Sequence, residues 1–222
     1  MYQVGSTGME SGMEEIPVKV AVRIRPLLSK EVLHNHQVCV RLVPNTQQII
    51  IGKDRVFTFD FVFGKNSTQE EVYTVCIKPL LVSLTEGYNA TVFAYGQTGS
   101  GKTYTIGGGH IASVAEDEEG IIPRAIQELF QRISENRNID FHVKVSYIEV
   151  YKEELRDLLD LENSVKELHI REDDKGNTGR ISALQFGVLG FRHVPKLFLP
   201  SLERAYSLLI LEKDYFQCIN SV

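Results

Sequence analysis

The chain has 222 residues, 43% hydrophobic and 24% charged, the composition of a packed globular protein rather than a disordered one. With 24 basic and 29 acidic residues it carries a formal net charge of −5, so bulk charge offers no attraction to nucleic acid. No apolar run approaches the length that spans a bilayer.

Residues 1–16 have neither a basic start nor an apolar core, so they read as a flexible leader and not as an export signal. The expected compartment is therefore the cytoplasm. The pattern changes at Pro17: Val18, Val20, Val22 and Ile24 alternate with polar or small residues, which predicts a strand ending at Pro26. Residues 38–43 and 48–51 predict two short strands, and 56–63 an aromatic one closed by Gly64. So many short strands suggest a small β subdomain beside a main sheet.

Thr68 with Glu71 has the capping-box spacing and opens a helix whose stripe is Val72, Cys76, Leu80 and Leu84. Pro79 should kink it and Gly87 should end it. Residues 90–95 read as a buried strand, 107–120 as a loop, and 121–136 as a helix with Pro123 in its first turn. The acidic run 116–119 reads as a solvated part of that loop. Residues 141–151 predict a strand, 153–161 a short helix, and 168–170 the start of another strand. Strands alternating with helices define an α/β fold.

Cys39, Cys76 and Cys218 lie far apart with no metal-ligand spacing. They read as reduced thiols packed as small apolar side chains. After Thr178 the composition shifts: residues 179–222 contain 23 apolar residues of 44 and only eight charges. A segment of that kind is sticky unless a core covers it. The expectation is that it docks poorly and that its removal improves solubility or leaves it unchanged.

Gly96-Gln97-Thr98-Gly99-Ser100-Gly101-Lys102-Thr103 matches G-x-x-x-x-G-K-[ST]. The glycines let the loop curl so that successive N–H groups converge on phosphate oxygens, and the following helix adds its positive end. Lys102 supplies a compact cation for the β and γ phosphates, and Thr103 a hydroxyl for Mg²⁺. A P-loop NTPase also needs an aspartate closing an apolar strand. None of Asp140, Glu149, Asp157 and Asp173 ends an apolar run with a D-x-x-G following, so no catalytic residue is assigned.

The segment Tyr95-Gly-Gln-Thr-Gly-Ser-Gly-Lys-Thr-Tyr-Thr105 resembles the phosphate loop of kinesin motor domains. Residues 18–26, 57–63, 87–93, 120–124 and 146–151 resemble further kinesin segments, in the same order. The similarity is closest to the fourth kinesin family, in its ciliary, Hedgehog-associated branch, and covers residues 17–178. It implies a P-loop NTPase fold with a central sheet flanked by helices, in a domain that binds ATP and Mg²⁺ and drives microtubule-based movement. It also implies that Arg23 and Pro26 flank the adenine, that Tyr104 stacks near it, and that Gly96, Gln97, Thr98, Gly99, Ser100, Gly101, Lys102 and Thr103 hold the phosphates and Mg²⁺. Arg171 falls where kinesins approach tubulin; a solvated surface arginine is the alternative. Microtubules are the implied partner, and the cytoskeleton and cilium the implied places.

The sequence contains no N-x-x-S-S-R-S-H and no D-L-A-G-S-E segment, which carry the family's two switches. A motor-domain fragment truncated before the switch segments is therefore expected, with residues 179–222 as a divergent tail. Such a fragment by itself is not expected to hydrolyse ATP. A non-enzymatic interaction fragment, or a truncated isoform without activity, stays open as the alternative.

Overall fold

The computed structural model describes residues 17–108, 116–135, 143–152 and 154–158, and the backbone of 169–172, 178–181, 186–187, 207–212 and 215–221. The leader 1–16, residues 109–115 of the expected loop, residues 141–142 of the expected strand, the residues beyond 158 in the expected short helix, and the carboxylates Asp140 and Asp173 lie outside the described residues. No described helix is long and apolar enough to cross a membrane.

The chain divides into two units, Met1–Gly64 and Lys65–Val222. In the first, β1 (Ala21–Arg23) is followed by a short helix α1 (Ser29–Leu33) that the sequence pattern did not predict. Strands β2 (Val40–Leu42), β3 (Gln48–Ile51) and β4 (Arg55–Thr58) form an antiparallel sheet in the order β2-β3-β4. The aromatic stretch expected as one strand is two, because β5 (Phe61–Phe63) leaves β3 and pairs with β1 in parallel. The switch occurs at Asp60, whose backbone N–H donates to the Val20 carbonyl at 3.0 Å and whose carboxylate accepts the Val20 N–H at 2.8 Å. Ile49 and Phe63 are the buried apolar residues among the described residues of the first unit.

The second unit opens with α2 (Gln69–Val72), and its capping box forms as expected: Thr68 Oγ1 accepts the Glu71 N–H and Glu71 accepts the Thr68 N–H. A π-helical turn over Tyr73–Ile77 follows, then α3 (Lys78–Thr85). Pro79 sits in the first turn of α3, where its missing N–H is harmless, so the chain widens ahead of the proline instead of kinking at it. The extra π residue shifts the inner stripe. Val72, Tyr73, Ile77, Leu81 and Leu84 are buried, whereas Cys76 and Leu80 are only half-buried.

Strand β6 (Ala90–Phe93), helix α4 (Lys102–Ile106) and helix α5 (Ile121–Glu135) come next, with a 3₁₀ turn at Glu116–Glu118 before α5. Asp117 and Glu118 are exposed, as expected of the acidic loop. Ile77, Leu81, Ile106, Ile122 and Ala125 are buried, and α5 packs against α3, α4 and the π turn.

Strand β7 (Lys144–Tyr151) turns at Lys152, whose φ is 50°, into β8 (Glu154–Asp157). The short helix expected here is therefore a hairpin strand. A two-residue connection with a left-handed first residue folds the chain back on β7, and Tyr151 faces Glu154. Strands β9 (His169–Glu172) and β10 (Thr178–Ile181) pair antiparallel, β10 straddling the composition shift. Strand β11 (Phe186–Gly187) pairs with β7.

The backbone of the tail departs from the expectation of loose docking. Strands β12 (Ser207–Glu212) and β13 (Tyr215–Ser221) form a hairpin set between β6 and β7, giving the sheet order β11-β7-β13-β12-β6. Neither strand contains glycine or proline, so an apolar stretch that is sticky alone can serve as a ladder partner.

Candidate functional site

The site is a strand, a loop and a short helix. Strand β6 was expected to be buried. Ala90 is, but Phe93 is 63% exposed and Tyr95 is 96% exposed. The loop 96–103 leaves β6 through Gly96 and climbs into α4 through two left-handed glycines, Gly99 at φ 79° and Gly101 at φ 97°. Only glycine adopts those angles without strain. A Cβ on Gly96 would lie 2.6 Å from Ser100 Oγ, so the loop closes tightly on itself there.

Two polar groups are held inside this curl. Ser100 Oγ is buried and is the one buried side-chain oxygen or nitrogen without a partner among the described residues. The ammonium of Lys102 bends back across the loop and donates to the carbonyls of Gly96 at 2.6 Å and Gln97 at 2.9 Å. The donor set is a hydroxyl, an ammonium and a glycine-rich run of backbone amides. That set fits an anion with several oxygens, and the Ser100 hydroxyl meets none among the described residues. Residue types and geometry thus fit a phosphate chain.

Of the residues expected at this site, Gly96, Gln97, Thr98, Gly99, Ser100, Gly101, Lys102, Thr103 and Tyr104 are contiguous in the loop and first turns of α4. Thr103 is half-buried, and Tyr104 is 41% exposed on the same short helix. Arg23, the last residue of β1, and Pro26, which is exposed, belong to the first unit. Arg171 lies in β9 opposite Gly179.

Sequence reasoning missed the groups that hold α4 from behind. Gln69 is 3% exposed and donates through Nε2 to the carbonyls of Tyr104 at 2.7 Å and Glu118 at 3.1 Å. Arg124 donates through Nε to the Glu119 carbonyl at 2.9 Å and pairs with Glu70. Farther along, the Tyr73 hydroxyl donates to Glu128 at 2.8 Å, and Arg132 donates to the same carboxylate at 2.7 Å. Burial opposes ionisation of Glu128, but these two donors together with the charges of Lys78 and Arg132 hold its carboxyl below the usual range. Burial first, and then the bond to Glu128, push the Tyr73 hydroxyl well above its ordinary value. The one signal for Gln69 was its place: an amide three residues before Val72, on the helix's apolar stripe.

A parallel-and-antiparallel sheet with a glycine-rich phosphate loop between strand and helix defines a P-loop nucleotide-binding fold. Comparison with known proteins narrows it: the family described as the kinesin motor domain matches residues 23–188. The chain belongs to the kinesin motor-domain family. It is similar to kinesin-like protein KIF27 of Mus musculus, with 77% identity over 83% of this chain and 13% of that protein. KIF27 of Homo sapiens is 81% identical over 77% of this chain and 12% of its own length. Kinesin-like protein KIF7 of Mus musculus is 52% identical over 84% of this chain and 14% of its own length. The chain thus spans between 12% and 14% of the length of these relatives.

Proposed function

We propose that the chain binds ATP with Mg²⁺ through residues 96–103, as the phosphate-holding part of a kinesin motor domain. The observation that carries this is the loop itself: left-handed Gly99 and Gly101, the partnerless Ser100 hydroxyl and the Lys102 ammonium all serve one closed curl. Lys102 would exchange its carbonyl partners at Gly96 and Gln97 for the β and γ phosphate oxygens. Ser100 and the loop amides would hold the remaining oxygens, and Thr103 would present its hydroxyl to Mg²⁺. The metal, when bound, supplies neutralising charge. Tyr104 would stack near the base. Arg23 and Pro26 belong to the first unit and enter the proposal on the family resemblance alone.

The family's activity, ATP turnover coupled to movement on microtubules, is the activity proposed for the protein containing this domain. Microtubules are the proposed partner and the cytoskeleton the proposed place, with the cilium carried by the resemblance to the ciliary branch. Arg171 is offered as a tubulin contact, and microtubule co-sedimentation of Arg171→Ala against the unsubstituted chain tests it.

Thermal melting with and without Mg-ATP tests the pocket. Ligand at a hundredfold its dissociation constant should stabilise the chain by about 2.7 kcal/mol. In Lys102→Ala that protection should vanish, because the phosphates lose their nearest cation. Equal protection of both proteins would sink the phosphate-loop assignment.

A further inference from the structure

We infer that Gln69 is a positioning residue for the phosphate loop, acting through the helix that carries Lys102. The inference rests on the nucleotide reading of residues 96–103 and adds to it what sets the loop's geometry.

Helix α4 has five residues, too few to hold itself, because helix nucleation is unfavourable until several turns are formed. Its N-terminal side is a left-handed glycine, Gly101, with no side-chain cap. Its position must therefore be set from its other end and by the burial of Ile106. At that end the Gly107 N–H donates to the Thr103 carbonyl at 2.8 Å, and the Gly108 N–H to the Tyr104 carbonyl at 2.9 Å.

Gln69 adds a second donor to the Tyr104 carbonyl and reaches the Glu118 carbonyl with the same amide nitrogen. One side chain thereby ties the middle of α4 to the 3₁₀ turn that precedes α5. The two chain segments it bridges are also zipped by glycine: Gly108 and Glu119 form an antiparallel bridge, and the Gly120 N–H donates to Gly107 at 3.3 Å.

The chemistry of this amide is specific. Gln69 is one of two buried polar residues among the described residues, and its Nε2 donates to two backbone carbonyls. Leucine at this position would fill the space and leave those carbonyls one donor short. An ionised glutamate would set a carboxylate against two carbonyl oxygens. Either change frees α4 to shift along its axis. Thr103 precedes Tyr104 directly and Lys102 precedes Thr103, so a shift at the Tyr104 carbonyl displaces both groups that meet the phosphates. Tyr104 itself is aimed by the same backbone.

The test uses the full chain carrying Gln69→Leu, Gln69→Glu or Tyr73→Phe. Tyr73→Phe is the control: it removes a buried hydroxyl bond to Glu128 and makes no bond to residues 96–108. Affinity for a fluorescent ADP analogue with Mg²⁺ is measured beside the melting temperature of each free protein. Gln69→Leu should bind about tenfold more weakly, the size of one buried carbonyl left short of a donor. Tyr73→Phe should melt earlier and keep its affinity. Gln69→Glu should regain affinity as the pH falls, because a protonated carboxyl carries an O–H donor, while the unsubstituted chain should show no such gain. Hydrogen exchange at the Gly107 and Gly108 amides should quicken in Gln69→Leu with no nucleotide present. An unchanged affinity in Gln69→Leu, or a loss matched by Tyr73→Phe, would overturn the inference. If the unsubstituted chain binds no nucleotide, the phosphate-loop reading falls. Exchange then decides on Gln69 alone, and unchanged protection counts against it.

Discussion

Arg25 and Glu31 show how much a single residue does in the first unit. The guanidinium donates to both carboxylate oxygens, at 2.8 and 2.9 Å, and the same carboxylate accepts the Leu28 N–H at 2.7 Å. These bonds, Arg25 foremost, lower the Glu31 carboxyl from 4.5 to about 2. A carboxyl lowered on folding stabilises fully above its unfolded value and ceases to as the pH falls through its folded one. The melting-temperature gap between the unsubstituted chain and Glu31→Gln should thus be widest above pH 4.5 and close as the pH approaches 2. A gap that stays constant over this window would show that the pair is not the source. The thiols follow a similar local logic. Cys76 is half-buried and burial pushes its thiol up to about 11, whereas Cys39 is exposed and departs from the expected packing. Residue-scale roles were unevenly legible. The loop from Gly96 to Thr103 is eight contiguous residues whose types alone spell out the motif. Gln69 acts on backbone carbonyls 35 and 49 residues away, and a carbonyl carries no sequence signature.

Among the elements, those with one dominant local cause were readable: the capped start at Thr68, the amphipathic α5, the turn-bounded β3. The misread ones depended on a distant partner or an inserted residue. Nothing between 153 and 158 reveals that β7 waits alongside, and leucines at helical spacing suited either state. The π turn over Tyr73–Ile77 moved the middle of the buried stripe from Cys76 and Leu80 to Ile77 and Leu81, while Val72 and Leu84 stayed buried, and a regular period cannot foresee that. The junction between α4 and α5 has its own sharp dependence. A Cβ on Gly120 would lie 2.5 Å from the Gly108 nitrogen and 2.6 Å from the Ile106 carbonyl oxygen. Those atoms are backbone and cannot rotate aside. Gly120→Ala should therefore destabilise the chain by about 1–3 kcal/mol, the range for overpacking, read by chemical denaturation. A cost below about 0.5 kcal/mol would mean that the two segments separate freely.

At the scale of the whole chain, the sheet of the second unit is built from both ends of its sequence. Leu208, Leu209, Ile210 and Leu211 of β12 lie opposite Phe93, Val92, Thr91 and Ala90 of β6, and β13 runs parallel to β7 from Phe216 to Ser221. The composition of residues 179–222 pointed to a segment without a partner, since pairing between strands so far apart in sequence leaves no mark on either. The pairing reverses the expected outcome of removing the hairpin. Without residues 207–222, β6 and β7 would each lose a neighbour, and unpaired N–H and C=O groups would line the strand that leads into the phosphate loop. Uncharged open edges recruit other chains. The shortened chain should be less soluble than the full one, melt earlier, and lose the protection proposed for Mg-ATP, since β6 leads into Gly96. Size-exclusion chromatography and melting of the two proteins side by side decide it. A deletion that stays monomeric, with the same melting temperature and the same response to Mg-ATP, would show that the hairpin is dispensable and that the first half of the sheet stands without it.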